Sequence, residues 1–439
     1  MQLAAFEHRG LEFQEPLAIR EAKALPATAS PLLGIIDLCV GCGACEGVCL
    51  QNAISFELNR KDCIYKPTVD MKRCNFCMNC ARVCPSLGSV SGMRNCVSAI
   101  GEHLAIFNGF ANEYAVQRDG ASGGIVTALL LFVLEHKLVD KVIVSKMSGR
   151  ARTQSLMTDS KNLILSSQGS IYFQTMPCRL IKRMLGEKDR RYAVVGLPCQ
   201  IWAFREAAKL FPSFPKENCL YIGLVCNHIN TWWYLGYFLK HWVGKAEIAE
   251  ISPRKGPWPG NITVRTEHNS VSVPHYEFWE GLPSLYLSSP VGCLTCPDIM
   301  NRFADVSVGD AKLACVRAGD RLGTSAVIVR SRAGMEILDK ARAEHAIRIW
   351  RMTQLHPDSA RTARRGWLMA SVCRLALAGS IFRAIRMHGL QRTTLSMLTL
   401  GHSLASRHGL VRKLLNYCPR VIVRTYDDVL WKLVRRVFS

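Results

Sequence analysis

Apolar runs broken by glycine turns set the rhythm of the central part of this chain. The run at 104–107 is followed by Gly123-Gly124, a longer apolar stretch at 125–134 and a short one at 141–144. That order predicts strand, glycine turn, helix, strand. Further strands are predicted at 192–195, running into Gly196-Leu197-Pro198-Cys199, and at 219–225, running into Cys226. Residues 246–290 carry Pro and Gly punctuation around alternating segments such as 261–265, while 325–329 reads as a strand and 334–343 as a helix. Beyond about 360, apolar residues fall at helical spacing between arginines: Trp367, Leu368, Val372 and Leu375, then Leu410, Leu414 and Leu415. The longest apolar runs fall well short of the roughly 20 residues of a membrane-spanning helix.

Cysteine changes this picture most, with 19 in 439 residues. Residues 1–20 mix Glu7, Arg9, Glu12 and Glu15 among apolar side chains, without the continuous apolar core of a signal peptide. A cytoplasmic location is therefore expected, and in that reducing compartment clustered cysteines are metal ligands more often than disulfides. Two runs share one spacing: Cys39, Cys42, Cys45 and Cys49, then Cys74, Cys77, Cys80 and Cys84, the last followed by Pro85. A loop with two-residue gaps curls around one corner of a cubane cluster and presents three thiolates, and the fourth Cys reaches the other cluster. Cys39, Cys42, Cys45 and Cys84 are thus assigned to one 4Fe-4S cluster, and Cys74, Cys77, Cys80 and Cys49 to a second. Gly41 and Gly43 are expected to let the first loop pass close to its cluster. Zinc ribbons, the competing reading, use four ligands per site, usually as two separated pairs. Leu50 stands where a Pro commonly follows the fourth Cys. Cys63 and Cys96 fall outside the pattern and read as buried small hydrophobes.

The chain therefore divides into an N-terminal arm (1–31), a two-cluster domain (32–93), an α/β region in two parts (104–186 and 187–345) and a basic helical tail (360–439). The expected fold class is mixed α/β: a small ferredoxin-like β/α cluster domain, an α/β domain, then helices. The formal net charge is +22, and from residue 357 onward 15 Lys or Arg face Asp358, Asp427 and Asp428. Such a tail meets nucleic acid, anionic lipid or acidic partners, or is merely a solvated helical face. It lacks the interleaved aromatics of a single-strand stacking surface, so nucleic acid is not the expected partner. Peripheral contact with an anionic membrane suits it better. Removing 360–439 is then expected to leave the absorption spectrum intact.

Four more cysteines stand in the body: Cys199, Cys226, Cys293 and Cys296, the last two as a Cys-x-x-Cys ahead of Asp298 and Ala304-Asp305-Val306-Ser307-Val308-Gly309-Asp310. Strand ends of an α/β sheet are where ligand sites form, yet by composition alone the leading reading of these four is as core residues. Taken with Ser122-Gly123-Gly124, Gly169-Ser170-Ile171-Tyr172 and Pro198-Cys199-Gln200, their order resembles the beta subunit family of coenzyme F420 hydrogenases and dehydrogenases over about residues 32–345.

That resemblance implies an FAD and a third 4Fe-4S cluster, held by Cys199, Cys226, Cys293 and Cys296. It also implies that Ser122, Gly123 and Gly124 open a helix against the FAD, with Thr127 one turn along. Gly169, Ser170, Tyr172, Asp305, Ser307 and Gly309 would line the flavin. Small residues and a helix N-terminus suit a pyrophosphate. Many relatives carry a Lys where this chain has Ile171. His228 is the candidate acid near the flavin, although a hydrogen-bonded histidine at a strand end is the simpler reading. Flavins exchange electrons in pairs or singly and clusters singly, so the implied activity joins hydride transfer with an organic substrate, F420 or another, to one-electron transfer with a ferredoxin or redox partner subunit. Two alternatives remain at this point: a reductase of polysaccharide biosynthesis, and a non-enzymatic electron-transfer subunit with a degenerate flavin site.

Overall fold

The computed structural model describes residues 32, 37–87, 99–149, 151–244, 246–279, 286–311, 321–355, 373 and 390–407. The expected arm 1–31, Cys96 and most of the tail 360–439 lie outside the described residues. In the cysteine-dense region, α1 (Ala44–Gly47) and α2 (Asn79–Arg82) follow the two cysteine loops. A left-handed residue turns the chain into each helix, Gly43 at φ 83° and Met78 at φ 63°. Between them, β1 (Ile54–Asn59) and β2 (Ile64–Val69) form an antiparallel hairpin.

The body is built on one eight-stranded sheet. Its order is β13 (Ile347–Met352), β3 (Ala105–Ala111), β12 (Ser325–Val329), β11 (Val306–Asp310), β7 (Cys219–Leu224), β6 (Tyr192–Gly196), β4 (Lys141–Ser148) and β5 (Arg152–Thr158). The pairs β4–β6, β6–β7 and β7–β11 are parallel, and the flanking pairs are antiparallel. Val142, Ile143, Ala193, Val194, Tyr221 and Ile222 are fully buried because both faces of the parallel strands are covered. On one face lie α4 (Ile125–Glu135) and α11 (Arg332–Ala343), with Ile125, Leu129, Val133 and Leu338 in the core. On the other lies α7 (Pro198–Leu210), whose Ile201 and Phe204 pack with Val40, Val48 and Val83 of the cysteine-rich region. Spans 104–186 and 187–345 share this sheet: β4 pairs with β6, and β3 lies between β12 and β13. No local pattern announces such a pairing, because it joins residues far apart in the chain.

A second sheet of β8 (Ile248–Lys255), β9 (Asn261–Thr266) and β10 (Ser270–Pro274) packs with α8 (Trp232–Trp242) and α9 (His275–Trp279). Its core is aromatic, with Phe173, Tyr234, Phe238 and Phe278. The described part of the tail is a packing element. Helix α12 (Leu390–Ser406) rests on α10 (Val291–Leu294), and Leu400 and Cys373 are buried with Val291, Leu294 and Tyr286. Arg407 then bonds Asp37 at 2.6 Å and pairs with Asp62. Burial opposes the charge of Asp37, but Arg407 outweighs it and holds the carboxyl below its usual range. Removal of the tail would therefore uncover the loop that carries Cys293. No helix among the described residues is long and apolar enough to cross a membrane.

Candidate functional site

The two cysteine runs fold so that their fourth members cross over. Cys45 feels Cys42, Cys39 and Cys84 ahead of Cys80, whereas Cys80 feels Cys77, Cys74 and Cys49. Burial and these neighbours push the thiols up, Cys39 and Cys84 to about 12 and Cys80 to about 11. Crowded, buried thiols of this kind become thiolates only beside a positive metal centre, so their chemistry fits a cluster. Two amides point at sulfurs of these cysteines: Gly41 N–H donates to Cys39 Sγ and Ala53 N–H to Cys49 Sγ, each at 3.3 Å.

The glycines of the first loop answer to the body of the protein. A Cβ on Gly41 would lie 1.7 Å from Gln174 Nε2, and one on Gly43 2.7 Å from Arg179 Cγ. Gln174 is buried and bonds Gly41 O at 3.0 Å and the backbone of Tyr65 at 2.7 and 2.8 Å, which ties the cysteine-rich region to the sheet. Cys63 is half-buried in a turn at φ 52° and donates to Arg60 O, so it is not a core residue.

The four body cysteines also meet. Cys199 begins α7 just beyond β6, and Cys226 lies just beyond β7, its parallel neighbour. Cys293 and Cys296 come from α10 and the turn after it. All four line one small cavity with Val40, Pro198 and Asp298. Burial raises each of Cys199, Cys226 and Cys293, with mutual thiol repulsion adding to it. Cys199 also feels Cys42, and Cys293 feels Cys39, so this set adjoins the first cysteine run. Among the described residues no three His, Cys, Asp or Glu side chains gather tightly enough to hold a single metal ion. A cubane takes one thiolate at each of four separate irons, which places its ligands farther apart than a lone zinc would. Cys178, which no motif marks, is fully buried in the same core as Cys42 and Cys199. A hydrogen bond from it favours the Cys42 thiolate and lowers that pKa.

Beside the four-cysteine cavity lies a larger one of about 550 Å³, at the carboxyl ends of the parallel strands. Gln200, Cys226, Asn227 and His228 line both. Ser122, Gly124, Thr127, Gly169, Ser170, Tyr172 and Gly309 all line the larger cavity. Gly124 caps α4 at φ 73°, and the turn is tied to the sheet by Ser325, whose Oγ meets Ser122 Oγ at 2.8 Å and Gly123 N at 2.9 Å. Gly123 lies outside the lining, wedged against Gly109 O and Ser325 N. Asp305 and Ser307 also lie outside it. Asp305 accepts from Tyr221 N at 2.8 Å and pairs with Arg205, and Ser307 donates to Asn301 O. Both brace the sheet, and Val308, Gly309 and Asp310 are the part of β11 that reaches the cavity.

His228 is buried, with Nδ1 3.2 Å from the Asn227 amide and its ring against Tyr286 and Trp279. A second histidine escaped the sequence. His275, in α9, has Nε2 2.8 Å from the Tyr172 hydroxyl. Arg254, from β8, is buried and bonds Asp310 at 2.9 and 3.3 Å. Burial works against the Arg254 cation, but Tyr172 and Asp310 more than restore it. Burial, then Arg254, pushes His275 down to about 3, so its ring is neutral, and Nε2 shares a hydrogen bond with the Tyr172 hydroxyl. Between pH 6.5 and 3 the unfolded chain takes up a proton at this position that the folded chain refuses. Stability tied to His275 is therefore complete above pH 6.5 and falls as pH drops through that window. His275→Gln should spare the protein about 2 kcal/mol of the loss between pH 7 and 5. Urea unfolding of both proteins at the two pH values checks this; equal losses would show that His275 is protonated in the fold.

Against known proteins, residues 106–182 match the N-terminal part, and 189–354 the C-terminal part, of the coenzyme F420 hydrogenase/dehydrogenase beta subunit family. Residues 38–87 match a 4Fe-4S dicluster domain. The chain belongs to this family, as an iron–sulfur oxidoreductase subunit. It is 26% identical over 324 residues to a subunit of the F420H2 dehydrogenase of Methanosarcina mazei, covering 71% of this chain and 84% of that one. It is 24% identical over 347 residues to the coenzyme F420-dependent sulfite reductase of Methanocaldococcus jannaschii, covering 73% of this chain but 49% of that enzyme, about half its length. A chain of the F420-reducing [NiFe] hydrogenase complex from Methanosarcina barkeri aligns with TM-score 0.49 at 21% identity, over 61% of this chain and 90% of that one.

Proposed function

We propose that this chain couples hydride transfer at a bound FAD to one-electron transfer through three 4Fe-4S clusters. The observation that carries the reading is the pair of adjoining cavities that share Cys226 and His228. FAD there would supply the exchange between paired and single electrons. The chain's own residues prepare the rest. The N-terminus of α4, opened by Gly124, favours a pyrophosphate. Tyr172, oriented by neutral His275, can pass a proton at its hydroxyl, and Arg254 keeps a buried positive charge in the wall. Aromatic Trp279 and Tyr286 keep water from His228, which lines the four-cysteine cavity and could pass a proton there. Electrons would pass from Cys199, Cys226, Cys293 and Cys296 to the adjoining set of Cys42, then to the outer set of Cys77, which is exposed.

The organic substrate would be deazaflavin F420 or another hydride carrier, and the electron partner a ferredoxin or a partner subunit. Anaerobic purification with iron, sulfide and flavin counts tests this: about twelve irons and about one FAD per chain are expected. About eight irons without flavin would leave an electron-transfer subunit and end the enzyme reading.

A further inference from the structure

The outer cysteine set reaches the surface inside a mixed apolar and basic rim. Cys77 is exposed, whereas Cys42 and Cys45 of the inner set are buried. From Met71 to Met78 every residue except Cys74 is exposed. Met71, Phe76 and Met78 are 41%, 36% and 43% exposed, and Leu50, next to Cys49, is 59% exposed. Single exposed apolar residues are ordinary, but four around one redox site form a patch. Its charges are mostly positive. Lys72, Arg73 and Arg82 are exposed, and against them stands Asp70, which pairs weakly with Arg73 at 3.5 Å.

We infer that this rim docks a small acidic electron-carrier protein, so that electrons cross at the Cys74–Cys77–Cys80–Cys49 edge. The inference rests on the proposed relay and adds its surface terminus. An apolar centre with a positive margin suits a transient complex. Short-range contact brings the two redox centres together, and charge speeds encounter without binding so tightly that turnover stalls. The positive margin selects an acidic carrier, because a basic one would meet like charge at the rim. The transfer itself is a single electron from the carrier's reduced centre to the outer cluster, or the reverse, with no bond made or broken.

The test uses the anaerobically purified holoprotein in stopped flow, with a pre-reduced acidic [2Fe-2S] ferredoxin as the probe and bleaching of the clusters as the readout. Lys72→Glu with Arg73→Glu is expected to slow the second-order rate about tenfold at low salt, with the difference vanishing near 1 M salt, where surface charges are screened. Both proteins should be reduced equally fast by methyl viologen radical, a small cation that needs no docking face. Arg82→Glu, on α2 and two residues from Cys80, provides an independent second variant and should slow the ferredoxin reaction in the same direction. Unchanged ferredoxin rates in both variants would overturn the docking face. Failure of methyl viologen to reduce the wild-type protein would instead overturn the relay on which it rests.

Discussion

Cys199→Ala is expected to lower iron from about twelve to about eight atoms per chain while the two ferredoxin-type clusters remain. Cys199 feels the other three body cysteines and also Cys42. It sits in the first turn of α7, which is anchored by the buried Ile201, Ala203 and Phe204. That helix cannot shift another ligand into its place without opening the core. The loss should therefore be local: three thiolates would remain, and electrons from the flavin side would no longer reach the outer set. Iron and sulfide analysis, with electron spin counts after reduction, reads both effects. Cys219→Ala is the control, because Cys219 starts β7 and donates to Pro215 O, away from every cysteine set. Full iron in Cys199→Ala would remove the third cluster from the proposal.

Gly123→Ala should cost about 1–3 kcal/mol of stability and, where the larger cavity holds the proposed FAD, the flavin as well. The added Cβ would lie 2.5 Å from Gly109 O, 2.8 Å from Ser325 N and 3.0 Å from Phe110 Cα. All three atoms are backbone of β3 and β12, adjacent strands of the sheet, so no side-chain rotation relieves the contact. The turn must move outward, and with it the start of α4 and the Ser122–Ser325 hydrogen bond. Gly186→Ala provides the comparison, since a Cβ there meets nothing within 4 Å. Flavin absorbance per chain and urea midpoints distinguish the two. A Gly123→Ala protein that keeps both its flavin and its midpoint would show that the turn does not shape the cavity.

The glycine turn and the cysteine runs differ in how much of their role local sequence carries. The helix after Gly124 was legible as an apolar run, and its N-terminal turn as paired glycines. That Gly123 is pinned by β3 and β12 was not, because those strands lie before and long after it in the chain. Asp305 and Ser307 show the opposite case. Their motif marks them together with Gly309, yet both turn away from the larger cavity. In β11 the side chain of Ser307 is committed to Asn301 O and Arg330, and only the end of the strand reaches the ligand side. Arg254 and His275 carried no signal at all. A buried cation and a neutral histidine look like surface residues until the small sheet and α9 close over them.

Spacing alone determined the two ferredoxin-type cysteine loops, because three thiols within seven residues are held together by the covalent chain. Apolar runs likewise determined the parallel strands β4, β6 and β7 and the helices α4 and α11, since burial on both faces of parallel strands demands continuous hydrophobic segments. Only the tertiary structure decided which distant elements meet. The parallel pairing of β6 with β7 sets Cys199 beside Cys226, and the packing of α10 brings Cys293 and Cys296 to them. It also joined the tail helix to that same loop. Such contacts depend on how far-separated apolar faces cover one another, and that is a property of the whole folded core.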